Sequence, residues 1–255
     1  MGKLPAAREL DLLDDVQFAE ATQAQLAKRQ LLRRIDSKYV VPAVDIPDLL
    51  ARLTAHYAVV RVPNSNWATY RSLYFDTPDL RCFHDHRRGR RVRRKVRIRH
   101  YPDRALSWLE VKTKRNGEMT EKARFELASG AEVLGDRERE FVQQHFPAEH
   151  LAPVARVDYR RMMLIGLDFN ERVTIDVGLE VAAPIGPPTS LGAFAVVEIK
   201  QAKLSASSPI MQCLVDAGHR QQSVSKYMTA IAQLHPAERK NRMLPTLRAV
   251  DRIAR

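Results

Sequence analysis

The chemistry of this chain is concentrated in the segment Arg87–Arg99. Nine of its 13 residues are Arg or Lys and none is acidic, so it supplies +9 of a formal net charge of +12. From Arg93 on, the charges alternate. Arg93, Lys95, Arg97 and Arg99 share one parity, and Val96 and Ile98 the other. Side chains two apart in a β-strand lie on the same face. The segment therefore reads as a strand with a row of cations on one side and an apolar row on the other. Such a row attracts an anion that carries several charges. Arginine suits phosphate because its planar fork binds two oxygens at once. The chain has no G-x-x-x-x-G-K-[ST] and no G-x-G-x-x-G sequence, so side chains rather than a backbone cradle would hold the phosphate.

Other segments share the pattern. Arg34, Asp36 and Lys38 keep one parity, as do Glu110, Lys112 and Lys114; Lys122, Arg124 and Glu126; Arg172, Asp176 and Glu180; and Glu198 and Lys200. The opposite parity is apolar: Leu109 and Val111; Ala123, Phe125 and Leu127; Val173, Ile175, Val177, Leu179 and Val181; Ala195, Val197 and Ile199. Alternation alone also suits an ordinary half-buried sheet whose polar face meets water. Here, however, nearly every polar position is charged rather than Thr, Ser or Gln, and several amphipathic segments are available to cover the apolar faces. A sheet closed into a barrel would turn the charged rows into its lumen. Charges there must pair with one another, with a metal or with an anionic ligand.

The elements that must position these rows follow from periodicity and turn signals. Helices are expected over 9–30, 45–57 and 131–146. Strands are expected over 34–41, 70–75, 91–101, 108–114, 121–127, 154–166, 171–181 and 193–201. A turn is read at Arg115-Asn116-Gly117. Ser207-Ser208-Pro209 starts a helix that Gly218 interrupts, and a second helix runs from Ser223 to Leu234. The fold class is α+β: an antiparallel β-barrel with amphipathic helices packed outside. The chain divides into an N-terminal helical segment (1–29), the barrel domain (30–235) and a basic, mobile tail (236–255). Apolar residues make up 45% of the 255, ample for a core. Cys82 and Cys213 lie too far apart for metal-ligand spacing and read as reduced structural thiols. No apolar run reaches the ~18 residues of a membrane span, and the N-terminus lacks the apolar core of a signal peptide. A soluble cytoplasmic protein with an acidic partner is expected.

The motifs Arg34-Ile-Asp-Ser-Lys-Tyr39, Ser72-Leu-Tyr-Phe-Asp-Thr77, Lys95-Val-Arg-Ile-Arg-His-Tyr101, Glu110-Val-Lys112, Lys122-Ala-Arg124, Tyr159-Arg-Arg161, Arg172-Val-Thr-Ile-Asp176, Glu198-Ile-Lys200 and Ser225-Lys-Tyr227 occur in that order. In this order they resemble the VTC domain, the polyphosphate polymerase domain of the triphosphate tunnel metalloenzymes, over roughly residues 30–230. The resemblance implies a tunnel-shaped barrel that binds ATP or polyphosphate with Mn²⁺ or Mg²⁺. It implies transfer of the terminal phosphoryl group of ATP to a growing polyphosphate chain. It assigns catalytic phosphate contacts to Lys38, Arg97, Arg99, Lys112, Arg161 and Arg172. Lys122, Arg124, Lys200 and Lys226 fall to substrate binding, and Glu198 to the metal. Tunnel enzymes often open with alternating glutamates. Here Asp36 stands in one place and Arg34 in the other, which lends less to a second metal ligand on this strand.

The same cations would equally serve a triphosphatase, with water as acceptor, or a non-catalytic polyphosphate sensor. Glu110 and Asp176 read equally as metal ligands and as ion-pair partners. His84-Asp85-His86 reads as a solvated turn rather than a metal clip, and Trp67 and Trp108 as packing residues. Specific nucleic-acid binding is not expected: cations alternate with carboxylates, and no recognition helix, zinc-finger spacing or RNP-type aromatic pair is seen. An anionic membrane or a membrane-protein partner remains open, with the protein membrane-associated only through it.

Overall fold

The computed structural model describes residues 16–28, 35–115, 120–147 and 150–253. Arg34 and most of the 115–117 turn lie outside them. The expected helix over 9–30 is corrected in its described part. Ala19–Glu20 forms a short strand, β1, and helix α1 spans only Gln23–Lys28. Thr22 sets that start. Its hydroxyl accepts from the Gln25 N–H (3.2 Å) while Gln25 Oε1 accepts from the Thr22 N–H (2.8 Å), a reciprocal cap.

The chain continues through β2 (Ile35–Pro42), α2 (Ile46–Leu53), β3 (Tyr57–Val59), β4 (Ala68–Asp76) and α3 (Arg81–Arg88). Then follow β5 (Arg93–Tyr101), β6 (Leu106–Lys114), β7 (Thr120–Leu127), α4 (Asp136–His145), β8 (Ala152–Gly166) and β9 (Glu171–Ala182). The last elements are β10 (Thr189–Ser190), β11 (Phe194–Gln201), α5 (Pro209–Asp216), α6 (Lys226–Leu234) and α7 (Leu244–Ile253). α2 buries Ile46, Leu49, Leu50 and Leu53, whose 3–4 spacing makes one apolar stripe. α3 replaces the turn expected around His84. Asp76 creates it by accepting the N–H groups of Cys82 (2.8 Å) and Phe83 (3.0 Å), donors that a helix start otherwise leaves without partners. Within the tail, α7 is helical, with Val250 buried and Ile253 packed on the same core.

Eight strands pair consecutively in the order β2-β11-β9-β8-β4-β5-β6-β7, and each of these pairings is antiparallel. No ladder joins β7 back to β2 among the described residues. The segment after α5 instead lies on the free edge of β2, where Gln222 N–H donates to Lys38 O (2.7 Å). It reaches β5 through Ser225, whose hydroxyl accepts from Lys95 Nζ (2.8 Å). The sheet is therefore curled, with its β2 edge brought toward β5.

The convex face is covered by helices. Tyr39, Val41, Val173, Ile175, Val197 and Ile199 pack with α2 and α5. Val96, Ile98, Leu109 and Val111 pack with Phe83 of α3 and Val142 of α4. The concave face is divided. At one end α6 packs Tyr227, Met228 and Ile231 with Val40, Val157, Leu179, Val181 and Val196. The rest is charged.

Leu179 and Val181 overturn an expected facing. The alternation puts them on the convex side with Val173, Ile175 and Val177. The β8–β9 register slips between Asp158 and Arg160, and Gly178 takes φ +59° there. A bulge of this kind inserts one residue and reverses the parity beyond it. Val181 thereby pairs with Val157 under α6, and Glu180, expected on the charged face, pairs with Asp158 instead. No helix among the described residues is long and apolar enough to cross a membrane.

Candidate functional site

Three carboxylates, Glu110 and Asp176 buried and Glu198 half-buried, organise the charged part of the concave face. Glu110, on β6 and 1% exposed, accepts from Arg97 Nε (2.8 Å) and Nη2 (2.6 Å) on β5. From β7, Lys122 pairs with the same carboxylate and Arg124 approaches to 3.3 Å. These contacts follow from register, since Arg97, Glu110 and Arg124 stand directly opposite one another on adjacent strands. Asp176, on β9 and fully buried, accepts from Arg161 Nε (2.5 Å) and Nη2 (2.7 Å) on β8 and from Lys226 at the start of α6. Glu198, on β11, pairs with Lys200 (2.6 Å) and lies 3.9 Å from Lys38 on β2. Burial pushes each acid's pKa up, but the neighbouring cations pull harder. Glu110 and Glu198 are held well below the ordinary range and Asp176 is lowered to about 2.

The cations outnumber these acids. Among the described residues Lys95, Arg99 and Lys112 have no carboxylate within ion-pair distance. Lys95, Lys112 and Lys122 stand opposite one another across β5, β6 and β7. Like charges so placed repel. Burial lowers the pKa of Lys95 well below that of a free lysine, and Lys38 and Lys112 lower it further. That Lys38, from the far end of the sheet, acts on both Lys95 and Lys112 marks the convergence of the rows. Desolvation and the charge of Lys38 lower the pKa of exposed Lys112, although Glu198 and Asp36 pull it up. Burial lowers Lys122 to about 7 and Lys200 to about 8, against the pull of Glu110 and Glu198 respectively.

Aromatic rings form one wall. Tyr70 and Tyr159 stack with centroids 5.2 Å apart. Arg99 and Arg161 lie over both rings, at 4.9–5.8 Å, and Lys226 lies 4.6 Å from the Tyr159 centroid. Cations over ring faces are stabilised by the π quadrupole. Arg99 Nε donates to Ser72 (3.1 Å), and Arg97 Nη1 donates to the Tyr74 hydroxyl (3.1 Å). Tyr159 Oη and Thr174 Oγ1 are buried without a hydrogen-bond partner among the described residues. Buried polar atoms in a folded protein are normally satisfied, so both invite a ligand.

A charged, enclosed concave face of this residue set coincides with a match to the VTC domain family over residues 33–235.

The chain belongs to the VTC domain family.

No curated protein matches it. Among solved structures, it is similar to a putative adenylate cyclase from Bacillus halodurans, at 13% identity over 76% of this chain and 94% of that one, with a TM-score of 0.49. A putative adenylyl cyclase from Hippeastrum, described as having a dominant triphosphatase activity, is 16% identical over 78% of this chain and 96% of that one, with a TM-score of 0.49. A conserved hypothetical protein from Pyrococcus furiosus is 16% identical over 78% of this chain and 99% of that one, at a TM-score of 0.43.

The fold brings the candidate phosphate- and metal-binding residues of this VTC-domain sequence to the concave face. Lys38, Arg97, Arg99, Lys112, Arg161 and Glu198 lie toward its middle with Lys226. Arg172 and Lys200, opposite each other on β9 and β11, lie toward one end, and Lys122 and Arg124 line the β7 edge. Glu110 and Asp176 are ion-pair hubs. His84-Asp85-His86 is helical, and His86 Nδ1 engages Cys82 O (2.9 Å). Sequence reasoning had Lys95, Ser72 and Tyr159 in its motifs but gave them no site role, and it missed the Tyr70–Tyr159 wall. Their signal was parity: Tyr70, Ser72 and Tyr74 share the concave face of β4 as Lys95, Arg97 and Arg99 share that of β5.

No group of three or more His, Cys, Asp or Glu side chains gathers to hold a metal among the described residues. Glu198 stands directly opposite Thr174, so one carboxylate and one partnerless hydroxyl adjoin. Two hard oxygen donors fit Mg²⁺ or Mn²⁺ when phosphate oxygens and water complete the shell. They do not make an all-protein metal cage.

Proposed function

We propose that this chain is a polyphosphate polymerase that transfers the γ-phosphoryl group of ATP to a growing polyphosphate chain inside a cationic tunnel. The observation that carries the reading is the set Lys95, Arg99 and Lys112, cations with no carboxylate within ion-pair distance among the described residues. A polyanion supplies the missing charge.

Phosphoryl transfer asks the protein chiefly to position the phosphates and neutralise their charge. Arg99 and Arg161, fixed on the tyrosine wall, would clamp one phosphate by their outer N–H groups. Arg97, already turned by Glu110, would offer the rest of its fork to the next. Lys95, Lys112 and Lys38 would surround the phosphate that carries most charge as the bond to the leaving group breaks. Tyr159 Oη would donate to a phosphate oxygen. Lys122, Arg124, Arg172, Lys200 and Lys226 would hold the remaining chain. Glu198 and Thr174 would hold Mn²⁺ or Mg²⁺, which supplies Lewis-acid charge neutralisation on phosphate oxygens. The tunnel domain would be 30–235, and the protein cytoplasmic, reaching any membrane through a partner.

A triphosphatase is the second reading. α6 favours it, because it fills one end of the concave face and shortens the path for a long chain. Incubating the pure protein with ATP and Mn²⁺ and resolving products by size separates the two. Long polyphosphate is expected; orthophosphate with no ladder of chains would establish the hydrolase, and no turnover would leave a binding protein.

A further inference from the structure

A cleft of about 560 Å³ lies outside the sheet, between α3 and the start of β5. Five arginines line it: Arg81 and Arg88 on α3, Arg90 and Arg91 in the turn, and Arg94 on β5. Its acids are Asp79 and Asp85, and Asp85 lies 3.7 Å from Arg90. Arg81, Arg91 and Arg94 have no carboxylate within ion-pair distance among the described residues. Arg81 and Arg94 converge on one ring, lying 5.6 and 5.2 Å from the centroid of Phe146, and Arg94 Nε also donates to His145 O (3.0 Å). Two guanidiniums are thus held side by side by packing, although they repel. Helix stabilisation does not account for them. A cation in the last turn, such as Arg88, favours the helix dipole, but Arg81 sits in the first turn, where it opposes it.

The cleft and the concave face share strand β5 and the turn before it. Arg93 and Lys95 point inward, whereas Arg94 between them lines the cleft. Arg93 Nη1 donates to Arg90 O (2.9 Å), which ties the turn to the mouth of the charged channel. We propose that the cleft is a second anion site, which takes the length of an inorganic polyphosphate chain that emerges from the channel beside Lys95. This identity of the ligand rests on the function proposed above; the existence of an anion site does not. Other polyanions suit the cleft less. Phe146 is 2% exposed beneath the guanidiniums, so it offers no face for a base. Val92, at 37%, is the one large exposed hydrophobic in the lining, too little to anchor a bilayer.

The test compares triphosphate with long-chain polyphosphate on the full chain. The variant Arg90→Ser with Arg91→Ser removes two exposed cations and no packing; Arg94→Gln is a second, independent variant. Both are expected to keep the parent's triphosphate affinity and to bind long chains roughly tenfold more weakly. Counterion release predicts a salt slope flatter by about 1.5 for the double variant. Arg99→Ala runs alongside: if it too keeps triphosphate affinity, the channel reading fails while the cleft result stands. Unchanged long-chain binding in both cleft variants would overturn the proposal. So would a parallel loss of triphosphate, or a loss confined to duplex DNA or anionic vesicles.

Discussion

Arg99→Ala should separate ligand binding from stability, and Arg161→Ala should not. Arg99 has no carboxylate partner, so its removal orphans no buried acid. The resting protein loses the 3.1 Å bond to Ser72 and the stacking on Tyr70 and Tyr159. Each is worth about 1 kcal/mol, and relief of repulsion among the channel cations offsets part of it. The unfolding free energy should fall by no more than about 2 kcal/mol. Arg161→Ala instead strips a two-point partner from fully buried Asp176 and leaves it only Lys226. Breaking a buried pair from one side costs about 3–5 kcal/mol. Turnover should respond differently. Losing an aligned electrostatic donor removes about 2–4 kcal/mol of transition-state stabilisation, roughly 10²–10³ in rate for Arg99→Ala. Urea unfolding, triphosphate calorimetry and single-turnover assays with ATP on both variants measure the contrast. If Arg99→Ala binds triphosphate as the parent does, or unfolds as easily as Arg161→Ala, the inventory of neutralised and open cations is wrong.

Triphosphate binding should take up protons, on the order of one near pH 8, because the anion restores charge to Lys122 and Lys200, lowered to about 7 and 8. Affinity should therefore weaken as pH rises above 7, and calorimetry in buffers of different ionisation enthalpy reads the uptake; no buffer dependence would refute it. In the ligand-free protein these depressed lysines make the unfolded state the better proton binder, so stability should rise from pH 7 to about 10, and a falling melting temperature over that window would contradict this. Glu198→Gln keeps shape and removes charge; it should abolish metal-dependent turnover while triphosphate binding persists, and unchanged activity at low Mn²⁺ would remove Glu198 as ligand. Ile98→Ala, at a fully buried convex position between Arg97 and Arg99, should cost about 2–5 kcal/mol of stability and leave triphosphate affinity unchanged, as titration and unfolding would show.

The two-residue period of a strand made much of this site legible in the sequence. Arg97 and Arg99 on one face with Ile98 on the other require no partner to be known, because successive side chains point oppositely in any strand. The same rule placed Lys112, Lys122, Arg172, Glu198 and Lys200 together with them, and the 3–4 spacing of Ile46, Leu49, Leu50 and Leu53 announced α2. Local rules fail where a partner is distant in sequence. Asp76 looks like part of a turn, and only the arrival of Tyr227 and the start of α3 around it makes it a buried cap. Gly178 looks like any residue of an alternating run, and only its pairing with β8 reveals the bulge that turns Leu179 and Val181 inward. Most of all, a row of cations does not say which of them are already neutralised. That depends on Glu110 meeting Arg97, Lys122 and Arg124 across three strands, and on α6 delivering Lys226 to Asp176 from 50 residues away. Coulomb energy is set by distance in space, so the composition of the charged concave face was written in the sequence, while the lack of an ion-pair partner at Lys95, Arg99 and Lys112 among the described residues was decided by the tertiary fold.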